Sequence, residues 1–254
     1  SQEELDLHMM LNYKQGVEIA EEQALNVLME GSRYELIKKR FYYDLTVLGI
    51  GAVKTSFNTS EGVVIDYVNP VDLVYSHTES PYFEDIYYVG EIKTIPMNEL
   101  VKQFPHLTPE DLEEISKAGS YNHDRRNGKN REDSDENKVD ILYFNYKTYM
   151  SEVYKLKESA SGAEKAIEKD DSFNPPEDAD ANFSKESRKI ECLYDGALVL
   201  GTKKLLKWEM AKNMMRPKSD FTKVKMNYSI CAPRMYEGRI DSLVKRITGF
   251  ADMI

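Results

Sequence analysis

A chain of 254 residues with 41% apolar content is long enough for one large domain or two modest ones, so a small metal-stapled scaffold is not needed. Its 34 basic side chains against 44 acidic ones leave a net charge of −10, which opposes sequence-independent wrapping of nucleic acid by the whole surface and leaves only local basic patches for that role. No apolar run reaches the roughly 18 residues that span a bilayer, SQEELDLHMM lacks the regions of a signal peptide, and Cys192 and Cys231 have neither CxxC nor Cys/His ligand spacing. The expectation is a soluble protein of a reducing cytoplasm, with both cysteines as small apolar fillers on strands.

In chain order, the first helical pattern is Val17, Ala20, Ala24 and Leu28 with glutamates between them. After Gly31-Ser32 a second runs through Tyr34, Ile37, Phe41, Leu45 and Leu48. It fades into Gly49-Ile50-Gly51, where the period changes to that of a strand: Val53, Thr55 and Phe57, then Val63, Ile65 and Tyr67, joined by the turn-rich NTSEG. Pro70 has no N–H for a ladder and biases Asn69 toward an extended shape, so VNP closes the second strand.

Three further extended runs follow: VDLVYSH, DIYYVGEIKT and KVDILYFNYKTYM. The last is apolar on both faces, Ile141 and Tyr143 against Leu142, Phe144 and Tyr146, which predicts a central strand or one covered by a neighbouring subunit. NELVKQF predicts a short helix, and Thr108-Pro109-Glu110-Asp111 predicts the start of another, with a capping threonine, proline in the first turn and acids at the positive helix end.

Gly119 to Lys138 and Lys157 to Lys189 are polar and poor in large apolar side chains; both are expected to be solvated loops, or segments that order only on assembly. IECLYDGALVLG predicts a hairpin turning at Asp195-Gly196. KVKMNYSIC alternates with Val224, Met226, Tyr228 and Ile230 on one face, as a half-buried strand does. Finally, Ile240, Leu243, Val244, Ile247, Ala251 and Ile254 recur at helical spacing, and the stop within that pattern predicts a fragment whose helix continues in the parent.

Catalytic chemistry finds little support in the residues. Gly49-Ile50-Gly51 invites a dinucleotide-binding reading, but Lys54 stands where the third glycine belongs and a helix precedes it where a strand is required, so a joint between helix and hairpin is the better account. His8, His77, His106 and His123 form no ligand pair. The adjacent acids Glu113-Glu114 and Asp170-Asp171 do not converge on one point, and no GxSxG nucleophile occurs. Basic side chains cluster at Lys38-Lys39-Arg40, Arg125-Arg126, Lys203-Lys204 and Lys245-Arg246, each with acids nearby, as on an ordinary solvated surface. Lys245 and Arg246 on the last helix also admit a sharper role, facing a phosphate backbone or an acidic neighbour. Tyr42, Tyr43, Tyr87 and Tyr88 admit base stacking, although interface packing explains the 17 tyrosines more simply.

The order of pieces resembles that of portal subunits of tailed bacteriophages, in particular those of crAss-like phages. It is carried by DLTVLGIGAVKTSF, GVVIDYVNPVDLVYS, YFEDIYYVGEIKTIPMNELVKQFP, VDILYFNYKT, GALVLGTKKL and APRMYEGRIDSLVKRITGFADMI. The resemblance covers most of the chain apart from the two polar inserts and includes no catalytic signature. It implies an α+β, portal-like fold: wing-like helices and a hairpin over 1–95, a stem-like helical section and polar linker over 96–137, a clip-like β region over 138–235 with a disordered insert at 157–189, and the start of a second stem helix over 236–254. It also implies a ring, normally of twelve copies, that conducts double-stranded DNA without sequence specificity during packaging and ejection. Terminase, capsid and tail adaptor proteins are the implied partners, the virion the location, after assembly in the host cytoplasm; no cofactor, metal, membrane or enzymatic activity is expected. Another virion structural protein, such as a head–tail adaptor, is the alternative, and an enzyme domain a more distant one.

Overall fold

The computed structural model describes residues 2–12, 15–58, 60, 62–117, 138–158, 164–170, 172–173, 183–202 and 204–251. Helices α1 (Gln2–Asn12), α2 (Gly16–Gly31) and α3 (Tyr34–Val47) lead into strands β1 (Gly51–Asn58) and β2 (Gly62–Val68). After a 3-10 turn at Pro70–Asp72 come β3 (Leu73–Tyr75), β4 (Tyr88–Pro96), α4 (Met97–Gln103) and a helix α5 over 109–117. The chain continues through β5 (Lys138–Glu158), β6 (Glu164–Lys169), β7 (Phe183–Val199) and β8 (Leu205–Met210), then β9 (Tyr228–Cys231), β10 (Met235–Tyr236), β11 (Arg239–Ile240) and α6 (Leu243–Ala251). Every ladder between these strands is antiparallel and helices and strands are segregated along the chain, which makes the class α+β.

Contacts group the chain into two compact units, Ser1–Pro70 with Tyr228–Ile254, and Val71–Asn227. The divisions read from sequence at 95/96 and 235/236 differ from these, because β4 pairs with β5 along nine residues and β9 pairs with β1. Long-range ladders of this kind leave no local trace in a sequence.

In the first unit, the backbone of Gln15 donates to Glu18 Oε2 at 3.2 Å, a capping box that starts α2. The chain passes from α3 to β1 through Gly49 at φ 84°, where a Cβ would sit 2.9 Å from the Asp241 carbonyl oxygen. At Gly51 a Cβ would sit 2.6 Å from the Phe41 ring, so the paired glycines form a joint by close approach and by positive φ. β1 lies between β2 and β9. Ile50, Ala52, Val68, Tyr228, Ile230 and Ala232 are buried around it.

The second unit is built on a six-stranded sheet ordered β3-β4-β5-β7-β8, with β6 on the far end of β5. The two-faced run at 138–150 is therefore central, flanked by β4 and β7. One sheet face buries Ile95, Val139, Ile141, Ala197, Val199 and Leu206 against Leu100 and Phe104 of the α4 segment and Ile115 of α5. α5 starts as its sequence predicts: the Asp111 backbone N–H donates to Thr108 Oγ1 at 3.3 Å and Thr108 N–H to Asp111 Oδ2 at 3.1 Å. Lys204 pairs with the same carboxylate, and this bond, with those from Thr108, holds Asp111 down to about 2.

Three expectations are corrected. Asp195-Gly196 is not a turn: both residues lie within β7, paired with Asn145 and Phe144 on one side and with Glu209 and Trp208 on the other. The turn comes later, with Gly201 at φ 89°. The segment 157–189, expected to be unstructured, contributes β6 and the first seven residues of β7 to the ladders on β5, while 159–163, 171 and 174–182 lie outside the described residues. Backbone pairing there is reinforced by cross-strand charge, since Arg188 Nη2 lies 2.8 Å from Glu152 Oε2, and by Lys155 over the Phe173 ring at 5.8 Å. Lastly, the helical pattern does not begin at 236 or include Ile240. Glu237 (φ 48°) and Gly238 (φ 72°) turn a two-residue hairpin between β10 and β11, and α6 starts at Leu243 with Ser242 Oγ accepting from Lys245 N–H at 3.1 Å. The loop expected from Gly119 falls almost wholly outside the described residues.

Candidate interaction surfaces

Register makes a surface that no single strand carries. In the second unit, pairing sets Tyr88, Tyr146, Tyr194 and Met210 in one transverse row and Gly90, Phe144, Gly196 and Trp208 in the next, on the face opposite the α4–α5 core. The glycines shape it. A Cβ on Gly196 would come closer than 3.0 Å to three carbons of the Phe144 ring, and one on Gly90 would come within 2.7 Å of Phe144 Cβ. With both absent, the Phe144 ring lies over Gly196 toward Trp208, their centroids 5.9 Å apart.

Trp208 stacks on Tyr194 at 5.1 Å and 15°, and meets Tyr146 at 6.0 Å. Tyr87 continues the patch, edge-on to Tyr146 at 6.2 Å and to Tyr88 at 5.1 Å. Trp208 remains 47% exposed, Met210 44% and Tyr87 53%. Contiguous, rigid aromatic area left open to water is what a protein interface uses: large contact area with few rotamers to freeze. These two rows contain no charged side chain, so they hold nothing that would grip a phosphate.

The first unit carries a polar core and a groove. Asp44, buried on α3, accepts from the Tyr67 hydroxyl at 2.5 Å, and the Arg40 guanidinium lies 3.9 Å from the centre of the Tyr67 ring. Burial, then the bond to Asp44, pushes the Tyr67 hydroxyl up to about 12. Because this folded value is raised above that of the unfolded chain, the associated stability is complete below pH 10 and is lost as pH rises toward 12. Tyr67→Phe is expected to cost about 1–3 kcal/mol, since it strips Asp44 of its donor, and to flatten the alkaline limb of a urea-melt series against pH; an unchanged limb would refute the assignment.

Beside α3, a groove of about 440 Å³ is lined by Tyr42, Leu45, Thr46, Gly49, Pro233, Arg234, Asp241 and Leu243. Lys245 and Arg246, singled out by sequence, stand one turn from it on α6 and are exposed; Lys245 Nζ is 3.4 Å from Asp241 Oδ1. Tyr42 and Tyr43 are exposed on α3, whereas Tyr87 and Tyr88 join the aromatic patch of the other unit. His8, His77 and His106 are exposed, Glu113 and Glu114 are solvated on α5, and His123, Arg125, Arg126, Asp171 and Lys203 lie outside the described residues. Among the described residues no group of three or more His, Cys, Asp or Glu side chains is placed to hold a metal. Cys192 and Cys231 sit on strands as free thiols.

Sequence reasoning named Phe144, Tyr146 and Tyr88 but missed Tyr194 and Trp208. A signal existed in YDGAL and KWEM, where an aromatic alternates with small or polar residues, but nothing local tells which face it joins. No helix among the described residues is long and apolar enough to cross a membrane. Neither a protein-family model nor a curated protein matches the chain.

Proposed function

We propose that the chain is a subunit of a portal-like head-to-tail connector of a tailed bacteriophage, a ring that conducts double-stranded DNA during packaging and ejection and docks terminase, capsid and tail adaptor. The observation that carries this reading is the uncharged aromatic face of Tyr88, Phe144, Tyr146, Tyr194 and Trp208 on the side of the sheet opposite the α4–α5 core. Such a face serves assembly with protein, and it lies largely in the stretch from Val139 to Ala232 that the sequence resemblance assigns to the clip, where portal subunits meet one another and their docking partners. The helices and β1–β2 hairpin correspond to the wing, α4 and α5 to the neighbourhood of the first stem helix, and α6 to the opening of the second.

In a ring of this kind the acidic balance has a use. Each phosphate neutralised by a protein cation adds affinity through counterion release, so a mostly acidic wall with a few basic positions lets a duplex slide. The complete gene product, viewed by negative stain and weighed by native mass spectrometry, is expected to form closed rings of about twelve copies with one rotational symmetry axis; monomers at tens of micromolar would overturn the proposal. Duplex DNA is expected to bind the ring weakly, losing roughly tenfold or more in affinity between 50 and 200 mM salt. Anisotropy titrations showing tight binding at high salt would contradict a sliding channel.

A further inference from the structure

We infer that the N-terminal helical arm, α1 with α2, seats in the α3/α6 groove of a neighbouring copy of the same chain. The arm is apolar and little packed: α2 touches α3 and β2, and of its residues only Leu28 is half-buried. α1 leaves Leu5 at 62%, Leu7 at 58% and Met10 at 87% exposure, and α2 buries no residue although Val17, Leu25 and Val27 are all large and apolar. Helices of 11 and 16 residues are marginal in water without tertiary packing, and one with apolar side chains on several faces is built to be covered.

Charge identifies the cover. α1 carries Glu3, Glu4 and Asp6, α2 carries Glu18, Glu21, Glu22 and Glu30, and neither contains lysine or arginine. The groove has the complementary character: Tyr42, Leu45, Pro233 and Leu243 form its apolar part, Arg234 and Asp241 line it, Asp241 is answered by Lys245 at 3.4 Å, and Arg239 and Arg246 are exposed on the adjoining hairpin and helix, so cations outnumber acids there. An acidic, apolar arm and a basic-rimmed apolar groove are thus encoded in one sequence. Leu5 and Met9, one helical turn apart, enter the groove, and the flanking acids meet the arginines of its rim. The two surfaces differ, so the contact is head-to-tail and propagates from copy to copy until the rotation closes. The inference rests on the ring reading for its stoichiometry alone.

A charge-swap pair tests it on the whole chain. E3K/D6K places cations on the arm, and R234E/R246E places acids around the groove; all four side chains are exposed, and circular dichroism checks that both variants fold. Each variant alone is expected to associate at least roughly tenfold more weakly than the parent in sedimentation velocity, and an equimolar mixture to recover. A disulfide between differently tagged Met9→Cys and Thr46→Cys copies is expected only where association occurs. Unchanged association in both variants, loss that mixing does not restore, or a disulfide forming between positions 9 and 46 within one copy that carries both Met9→Cys and Thr46→Cys, at high dilution, would each overturn the inference. Rings that persist without the arm contact would overturn it and keep the proposed function; charge-dependent chains or dimers that never close would keep it and sink the ring.

Discussion

Ile141→Ala is expected to destabilise the sheet unit by about 3–4 kcal/mol, near the upper part of the range for a fully buried branched side chain cut to its Cβ. Ile141 has no exposed surface, sits on the central strand between Lys93 of β4 and Val199 of β7, and packs among Leu100, Phe104 and Ile115. Strand neighbours on both sides and two helices above fix the walls of the space it fills, so they cannot collapse into the vacancy. Urea unfolding followed by far-ultraviolet circular dichroism should show a lower midpoint at an unchanged slope. A loss below about 1 kcal/mol would mean that the α4–α5 layer does not cover this face.

The second large effect is expected at Gly196, whose alanine variant should lose about 2 kcal/mol through overpacking. The backbone at Gly196 needs no positive φ, so the cost is steric: the new methyl meets the Phe144 ring, which is itself held against Trp208. The decisive measurement is a double-mutant cycle. Phe144→Leu should make Gly196→Ala nearly neutral, giving a coupling of about 2 kcal/mol, and Trp208 fluorescence should shift in Gly196→Ala alone. Had the sequence reading been right and Gly196 formed the tip of a hairpin, the two sites would be independent. Zero coupling would therefore restore the turn and dissolve the aromatic face.

The contrast between these sites shows how far local pattern reaches. The helical periods at Val17 and Tyr34, the change of period after Gly49, the proline corner at Pro70 and the cap at Thr108 are all written within a few residues, and each element stands where its pattern puts it. The misreadings share one cause. Asp195-Gly196 has turn chemistry, but a glycine opposite a phenylalanine on the next strand has the same composition, and only the Phe144 pairing tells them apart. The polar stretch from Lys157 holds too few apolar side chains to order itself, yet β5 lends it a template of backbone donors and acceptors. Ile240 fits a helical spacing by coincidence, because Glu237-Gly238 turns the chain first.

By itself, then, the sequence determined most helix and strand positions, the two-faced apolar character of the Val139 to Met150 strand and the net acidic charge, because periodicity, capping and charge are local or additive properties. Only the tertiary structure decided which strands meet, and so that Tyr88, Tyr146, Tyr194 and Trp208 form one face and that Arg234 and Leu243 share a groove with Tyr42. A strand presents its side chains alternately to two faces, and a shift of one residue in register exchanges them. That choice is made by the whole sheet at once, with the burial of Ile141 and its neighbours holding the register that brings the aromatic rows together.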